Sequence, residues 1–180
     1  RMARIRPGMR FKSPIHEFFD PAPDNSIGLR SIVNHFGYVF INEEEKIAHF
    51  ERNHVLLQKM IEEEPHNVRW RMQMMLEYSS IDRNQDLLEL GEECLHLFAD
   101  SRDPEVINAV SSFYAAKMMA YHEMQQHDKA YEVCIQALED KRVSRLGRAY
   151  FHTYKGEYAL EKELYSESEK EELEYLELYE

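Results

Sequence analysis

The chain is poor in the residues that interrupt secondary structure, with six glycines and six prolines in 180 residues beside a hydrophobic fraction of 43%. That balance favours helix and leaves enough apolar side chain for a core. It holds no run of about 18 apolar residues, which excludes a membrane-spanning helix. No basic stretch followed by an apolar one opens it, so no secretory leader is visible. No CxxC and no Cys/His cluster argues for zinc. The two cysteines, Cys94 and Cys134, fall at apolar positions of helical segments. They are expected to be buried reduced thiols, as in a cytoplasmic protein. The chain opens on Arg1, and the expectation is that it continues a longer protein.

Positive charge is also scarce, and it is unevenly spread. Lys and Arg number 22 against 34 Asp and Glu, a net charge of −12. Residues 1–42 hold six bases (Arg1, Arg4, Arg6, Arg10, Lys12, Arg30) and three acids (Glu17, Asp20, Asp24). The remainder, with 16 bases and 31 acids, stands at −15. A surface of that sign repels phosphate, which argues against nucleic acid as a partner. The basic opening suits an anionic ligand such as a nucleotide diphosphate, or equally the acidic remainder of the chain.

What is present divides at about residue 42. Before it, Pro7-Gly8 signals a turn, residues 9–11 alternate as a strand does, and residues 15–19 are a second extended candidate. Residues 20–25 carry two prolines and read as a loop, while residues 31–40 read as a strand pair or a strand with a glycine bulge. Three strands alone make a poor domain, so this segment needs a sheet from elsewhere. Beyond it, Asn42 and three glutamates form a cap and acidic first turn, opening an amphipathic helix to about residue 63. A helix carrying Trp70, Met74, Tyr78 and Ile81 follows, then helices over 86–98, 104–125, 129–140, 145–164 and 169–179. Residues 82–84, 126–128 and 165–168 are expected turns.

These helices repeat in pairs. Tyr78 is followed by Leu87, Gly91 and Cys94, and Tyr121 by Ala130, Cys134 and Ala137, at the same intervals. A large side chain on one helix fills the notch left by small residues on the next. Taking Leu87, Ala130 and Ser168 as markers gives spacings of 43 and 38 residues. The second unit resembles a tetratricopeptide (TPR) repeat: Tyr121, Ala130 and Ala137 fall at its consensus spacing, and Cys134 takes its aromatic slot. Spacings above the usual period of about 34 residues imply longer helices or loops. The expected fold is therefore mostly α, a TPR-like solenoid of antiparallel helix hairpins over 43–180, preceded by a short β-containing segment over 1–42. By analogy with the repeat, its curved inner face would be floored by Arg69, Met72, Leu76 and Ser79, then by Ser112, Ala115, Met119 and His122.

The opening segment carries an ordered run of short motifs. Arg10-Phe11 is followed by Ile15-His16-Glu17, His35-Phe36-Gly37-Tyr38, Glu43-Glu44-Glu45-Lys46 and Glu51-Arg52-Asn53, leading into Leu56-Leu57. Over about residues 4–65 this resembles the junction, in certain bacterial family 2 glycosyltransferases, between a GT-A-type catalytic domain and tetratricopeptide repeats. The resemblance implies that the chain is the C-terminal part of a nucleotide-sugar-dependent transferase, with 1–42 the tail of its catalytic domain. The repeats would then bind a protein or peptide acceptor, or dimerise the enzyme. A divalent metal and a nucleotide sugar are implied for the larger protein. The family's Asp-x-Asp motif occurs nowhere in this sequence, so the chain alone is expected to be inactive and to need no cofactor. The rival reading is a freestanding TPR adaptor.

The resemblance also implies that His16 approaches the metal or diphosphate. An imidazole beside a strand end can ligate a divalent ion or donate to a phosphate oxygen. Glu17 would orient that ring or accept from an acceptor hydroxyl. The plainer alternative is that both cap a strand edge. His35 is either a second site-facing histidine or a ring buried beneath the first helix. His16-Glu17 is not a zinc-protease motif, because Pro14 and Pro21 leave no helix to carry a second ligand. His49/His54 and His122/His127 are five apart, about 140° around a helix, and make poor chelates. The methionines read as core filler before they read as a groove. The C-terminal glutamates read as a solvated capping helix.

Overall fold

The computed structural model describes residues 7–12, 18–20, 40 and 42–178. It is mostly helical, with α1 (Glu43–Glu63), α2 (Val68–Ser80), α3 (Asn84–Leu97), α4 (Pro104–Glu123), α5 (His127–Glu139), α6 (Arg145–Glu161) and α7 (Tyr165–Glu177). Two three-residue strands, β1 (Arg10–Lys12) and β2 (Phe18–Asp20), pair antiparallel with Phe11 opposite Phe19. The strand pair, or strand with a glycine bulge, expected over 31–40 lies outside the described residues except for Phe40, whose ring centroid is 5.3 Å from that of His49.

Helix starts are of two kinds. The Asn42, Asn67, Asp103 and Ser144 side chains accept backbone N–H groups at the entrances of α1, α2, α4 and α6, at 2.9–3.1 Å. Such caps satisfy donors that a helix start leaves orphaned. By contrast, α3, α5 and α7 have no side-chain cap and emerge directly from tight turns. In each turn a residue other than glycine takes a left-handed backbone: Asp82 (φ 58°), Gln125 (φ 60°) and Glu163 (φ 60°). That conformation costs about 1–2 kcal/mol. The next N–H offsets part of it by closing back onto the preceding helix: Arg83 onto the Tyr78 carbonyl at 3.0 Å, Gln126 onto Tyr121 at 2.8 Å, Leu164 onto Ala159 at 2.8 Å. One turn geometry thus recurs three times, at intervals of 43 and 38 residues.

Each helix packs on the next, and α2 also packs on α4, and α4 on α6. Thus α2, α4 and α6 form a continuous row. α3 touches α2 and α4, and α5 touches α4 and α6, so these two bridge the row from behind. Trp70, Phe113 and Phe151, spaced as the turns are, all point into the core and are buried. Ala130, Cys134 and Ala137 are small and wholly buried, which lets α5 approach its neighbours closely. Leu95 and Tyr121 pack against both buried clusters of the described residues and tie the units together. Most buried polar side chains are paired: Arg71 donates to Glu93 and to the Pro65 carbonyl, and Asn53 donates to Glu77 at 2.8 Å.

The last turn differs from expectation. It occupies residues 162–164, and α7 begins at Tyr165, so 165–168 is helix and not turn. The likeness of 165–168 to the earlier inter-helix turns suggests a turn there, but Ser168 belongs to α7 and is buried where that helix passes Gly156 of α6. No helix among the described residues is long and apolar enough to cross a membrane.

Candidate binding face

Superposing the three turns by residue number pairs the side chains of α2 with those of α4, 43 positions on. Trp70 matches Phe113 on the inward side. Away from it Arg69 matches Ser112, Met72 matches Ala115, Leu76 matches Met119, and Ser79 matches His122, with Met72 and Ala115 also packing against the buried clusters. All eight residues expected at a groove floor keep solvent-accessible surface, and none is buried. They lie on adjacent helices that touch. Leu76 is the most open of them, at 63% exposure.

The row continues onto α6, which the sequence reading left out. Adding the second interval of 38 gives Tyr150, Thr153, Glu157 and Leu160, and these too are exposed or half-exposed. The signal was available, since the same 38-residue interval had already placed Ser168. Leu76, Met119, Tyr150 and Leu160 therefore put apolar surface on all three helices of the row.

Local contacts set what these side chains offer. The Arg69 guanidinium lies over the Trp70 ring at 5.2 Å, a cation–π contact that holds it to its own helix. His122 Nδ1 is 3.1 Å from the Tyr154 hydroxyl on α6, and its ring meets His127 edge-on at 4.9 Å. The two histidines come together because a turn, not continuous helix, separates them. Ser79, Ser112 and His122 supply hydrogen-bonding groups beside the apolar ones. The methionines divide: Met74, Met75 and Met118 are buried filler, and Met119 is exposed.

Two recesses lie away from this face. One of about 650 Å³ opens between the first half of α1 and the turn after α2, with Ile47, Phe50, Ile81 and Arg83 among its walls. There the His54 ring stacks on Phe50 at 5.2 Å, and its Nδ1 is buried with no hydrogen-bond partner. Burial, then the charge of Arg83, pushes the pKa of this imidazole down. The other recess, about 380 Å³, lies along the link from α3 to α4 and includes His66, His96 and Asp103. Cys94 and Cys134 are free thiols with no exposed surface, and burial pushes both up to about 12.

His16, Glu17 and His35 lie outside the described residues. Among the described residues, no three His, Cys, Asp or Glu side chains converge as a metal site would require. Comparison with protein-family models, with curated proteins and with solved structures found no match.

Proposed function

We propose that this chain is the TPR-like, C-terminal region of a nucleotide-sugar-dependent glycosyltransferase, not catalytic alone, and that the face of α2, α4 and α6 binds a protein or peptide acceptor. One observation carries the binding part. Leu76 and Met119 hold equivalent places 43 residues apart, on helices packed side by side, with both side chains in solvent. Fully covering an exposed side chain of this kind contributes about 1.5–3 kcal/mol, and covering the part of Leu76 and Met119 that remains open contributes a fraction of that, so a repeated pair favours a covering partner. The transferase part rests on the ordered motifs of residues 4–65, and the metal and nucleotide sugar belong to the upstream domain in that reading.

Two experiments test the parts separately. The coding sequence upstream of Arg1 is expected to hold about 200 or more further codons, the size of one domain, with strand–helix alternation and an Asp-x-Asp. A start codon at or near Met2 sinks the transferase part and leaves a freestanding adaptor. For the binding part, a displayed library of random peptides is selected on the chain and on the double variant L76D/M119D. Peptides enriched on the first and lost on the second support the face. Equal enrichment on both overturns it.

A further inference from the structure

We infer that the face of α2, α4 and α6 takes a cationic partner, a polypeptide segment in which lysines or arginines alternate with apolar side chains. The inference rests on reading that face as a binding face, and it adds the chemistry of what binds.

Connectivity runs α2, α4 and α6 in the same direction, so their C-terminal ends gather along one edge. Those ends carry the negative pole of each helix, which attracts cations. The last turns of α2 and α6 contain no basic residue, and that of α4 contains only His122. Carboxylates stand at the same edge. Glu123 ends α4, and Glu157 and Glu161 lie in the last turn and a half of α6. All three are exposed and make no hydrogen bond or ion pair among the described residues. Interleaved with them are Leu76, Met119 and Leu160, each presenting apolar surface to water.

Two cations stand beside the ends of α2 and α4, and both are engaged: Arg83 pairs with Asp86 at 2.6 Å, and Lys129 lies over the Tyr121 ring at 5.5 Å. The cations of the row helices are likewise engaged or sit at the far end. Lys117 pairs with Glu92 at 3.4 Å, Lys155 with Glu171 at 2.7 Å and Lys162 with Asp128 at 3.4 Å. Arg148 donates to the Leu138 carbonyl at 2.8 Å. Arg69 and Arg145 belong to the first turns of α2 and α6, opposite the acidic edge. The edge thus joins three free carboxylates, three helix C-termini and an apolar row. A partner with positive charge between apolar side chains satisfies all of these, while an anionic one meets repulsion at each end.

The test uses fluorescence anisotropy with two labelled peptides, four repeats of Lys-Leu-Ser-Ala and the same with Glu in place of Lys. The chain is compared with the edge variant E123K/E157K/E161K, with a control variant E172K/E174K/E177K on exposed positions of α7, and with L76D/M119D. Binding of the lysine peptide is expected to weaken about tenfold or more in the edge variant, to stay unchanged in the control, and to fall with added salt. Equal loss in edge and control variants overturns the inference, because attraction to net charge then explains it. Preference for the glutamate peptide that is lost in L76D/M119D overturns the cationic chemistry and leaves the binding face standing. Binding of neither peptide, together with failure of the library selection, removes both.

Discussion

Glu171 of α7 and His152 of α6 meet inside the molecule. His152 Nδ1 stands 2.6 Å from one carboxylate oxygen, and Lys155 Nζ reaches the other at 2.7 Å. No apolar side chain of α7 is buried among the described residues; its buried residues are Ser168 and Glu171. The helix is therefore held in large part through polar contacts, with Tyr131 adding a hydrogen bond to Glu167 at 2.8 Å.

That arrangement makes the docking of α7 acid-sensitive. Burial alone would raise the Glu171 pKa, but the hydrogen bonds from Lys155 and His152 outweigh it and hold the carboxyl below its ordinary value of 4.5. A depressed carboxyl contributes stability that is present above its unfolded value and lost as pH falls through the folded one. Amide exchange followed by mass spectrometry is expected to show α7 losing protection below pH 4.5 before α2 to α5 do. Glu171→Gln should cost about 1–3 kcal/mol in urea unfolding and remove that acid step. Uniform loss of protection along the chain would refute the dependence of α7 docking on Glu171.

Two glycines of α6, one in its first turn and one in its interior, should answer oppositely to alanine. At Gly147 an added Cβ would stand 2.7 Å from Ser111 Cβ, where Ser111 also bonds Ser144. Overpacking of that kind costs about 1–3 kcal/mol, which exceeds the roughly 1 kcal/mol gained in helix propensity. At Gly156 the nearest atoms are 3.6 and 3.8 Å away, an ordinary contact. There the propensity gain should stand, raising stability by about 0.4–1 kcal/mol. Thermal unfolding of G147A and G156A gives the two signs directly.

The helices were legible in the sequence because capping residues and three- and four-residue apolar steps are local signals. Asn42 caps α1, as its place before three glutamates suggests. The repeat was legible in its small residues, Ala130 and Ala137, but its strongest mark is aromatic. Trp70, Phe113 and Phe151 recur at the repeat interval as the buried aromatic of each row helix, and they differ enough in neighbours to hide the match. Turns were expected at 82–84 and 126–128 and lie within a residue or two of those places, but their left-handed backbone was not legible, since Asp82, Gln125 and Glu163 are three different residue types and none is glycine. Their conformation is imposed by the helices on either side. The eight floor residues could be listed from spacing alone, whereas the pairing of His122 with Tyr154 joins residues 32 apart and needed the packed structure.

Alkaline unfolding should begin above pH 9. Burial pushes the Cys94 and Cys134 thiols up to about 12. Burial and the hydrogen bond to Glu167 push Tyr131 to about 12, and burial with nearby negative groups does the same for Tyr154. Raised acids of this kind favour the fold below their unfolded values, and that contribution is lost as pH rises toward the folded ones. Chemical denaturation at a series of pH values is expected to show stability falling between pH 9 and 12. Neither thiol should react with an aromatic disulfide reagent at pH 8 until the chain unfolds. Fast reaction in the native state would contradict the burial of both.

Interior and face should separate cleanly by mutation. Phe113 is wholly buried and Leu76 is 63% exposed. Phe113→Ala removes a ring from the joint between units and should cost about 3–5 kcal/mol. Leu76→Ala should change stability by no more than about 0.5 kcal/mol. If L76A unfolds as readily as F113A, its side chain is part of the core and the face of α2, α4 and α6 is not a surface. If L76A keeps full stability while losing peptide binding, the exposed leucine serves contact with a partner. The two measurements, urea midpoint and peptide affinity, must be made on the same preparations, because only their divergence distinguishes a surface role from a folding one.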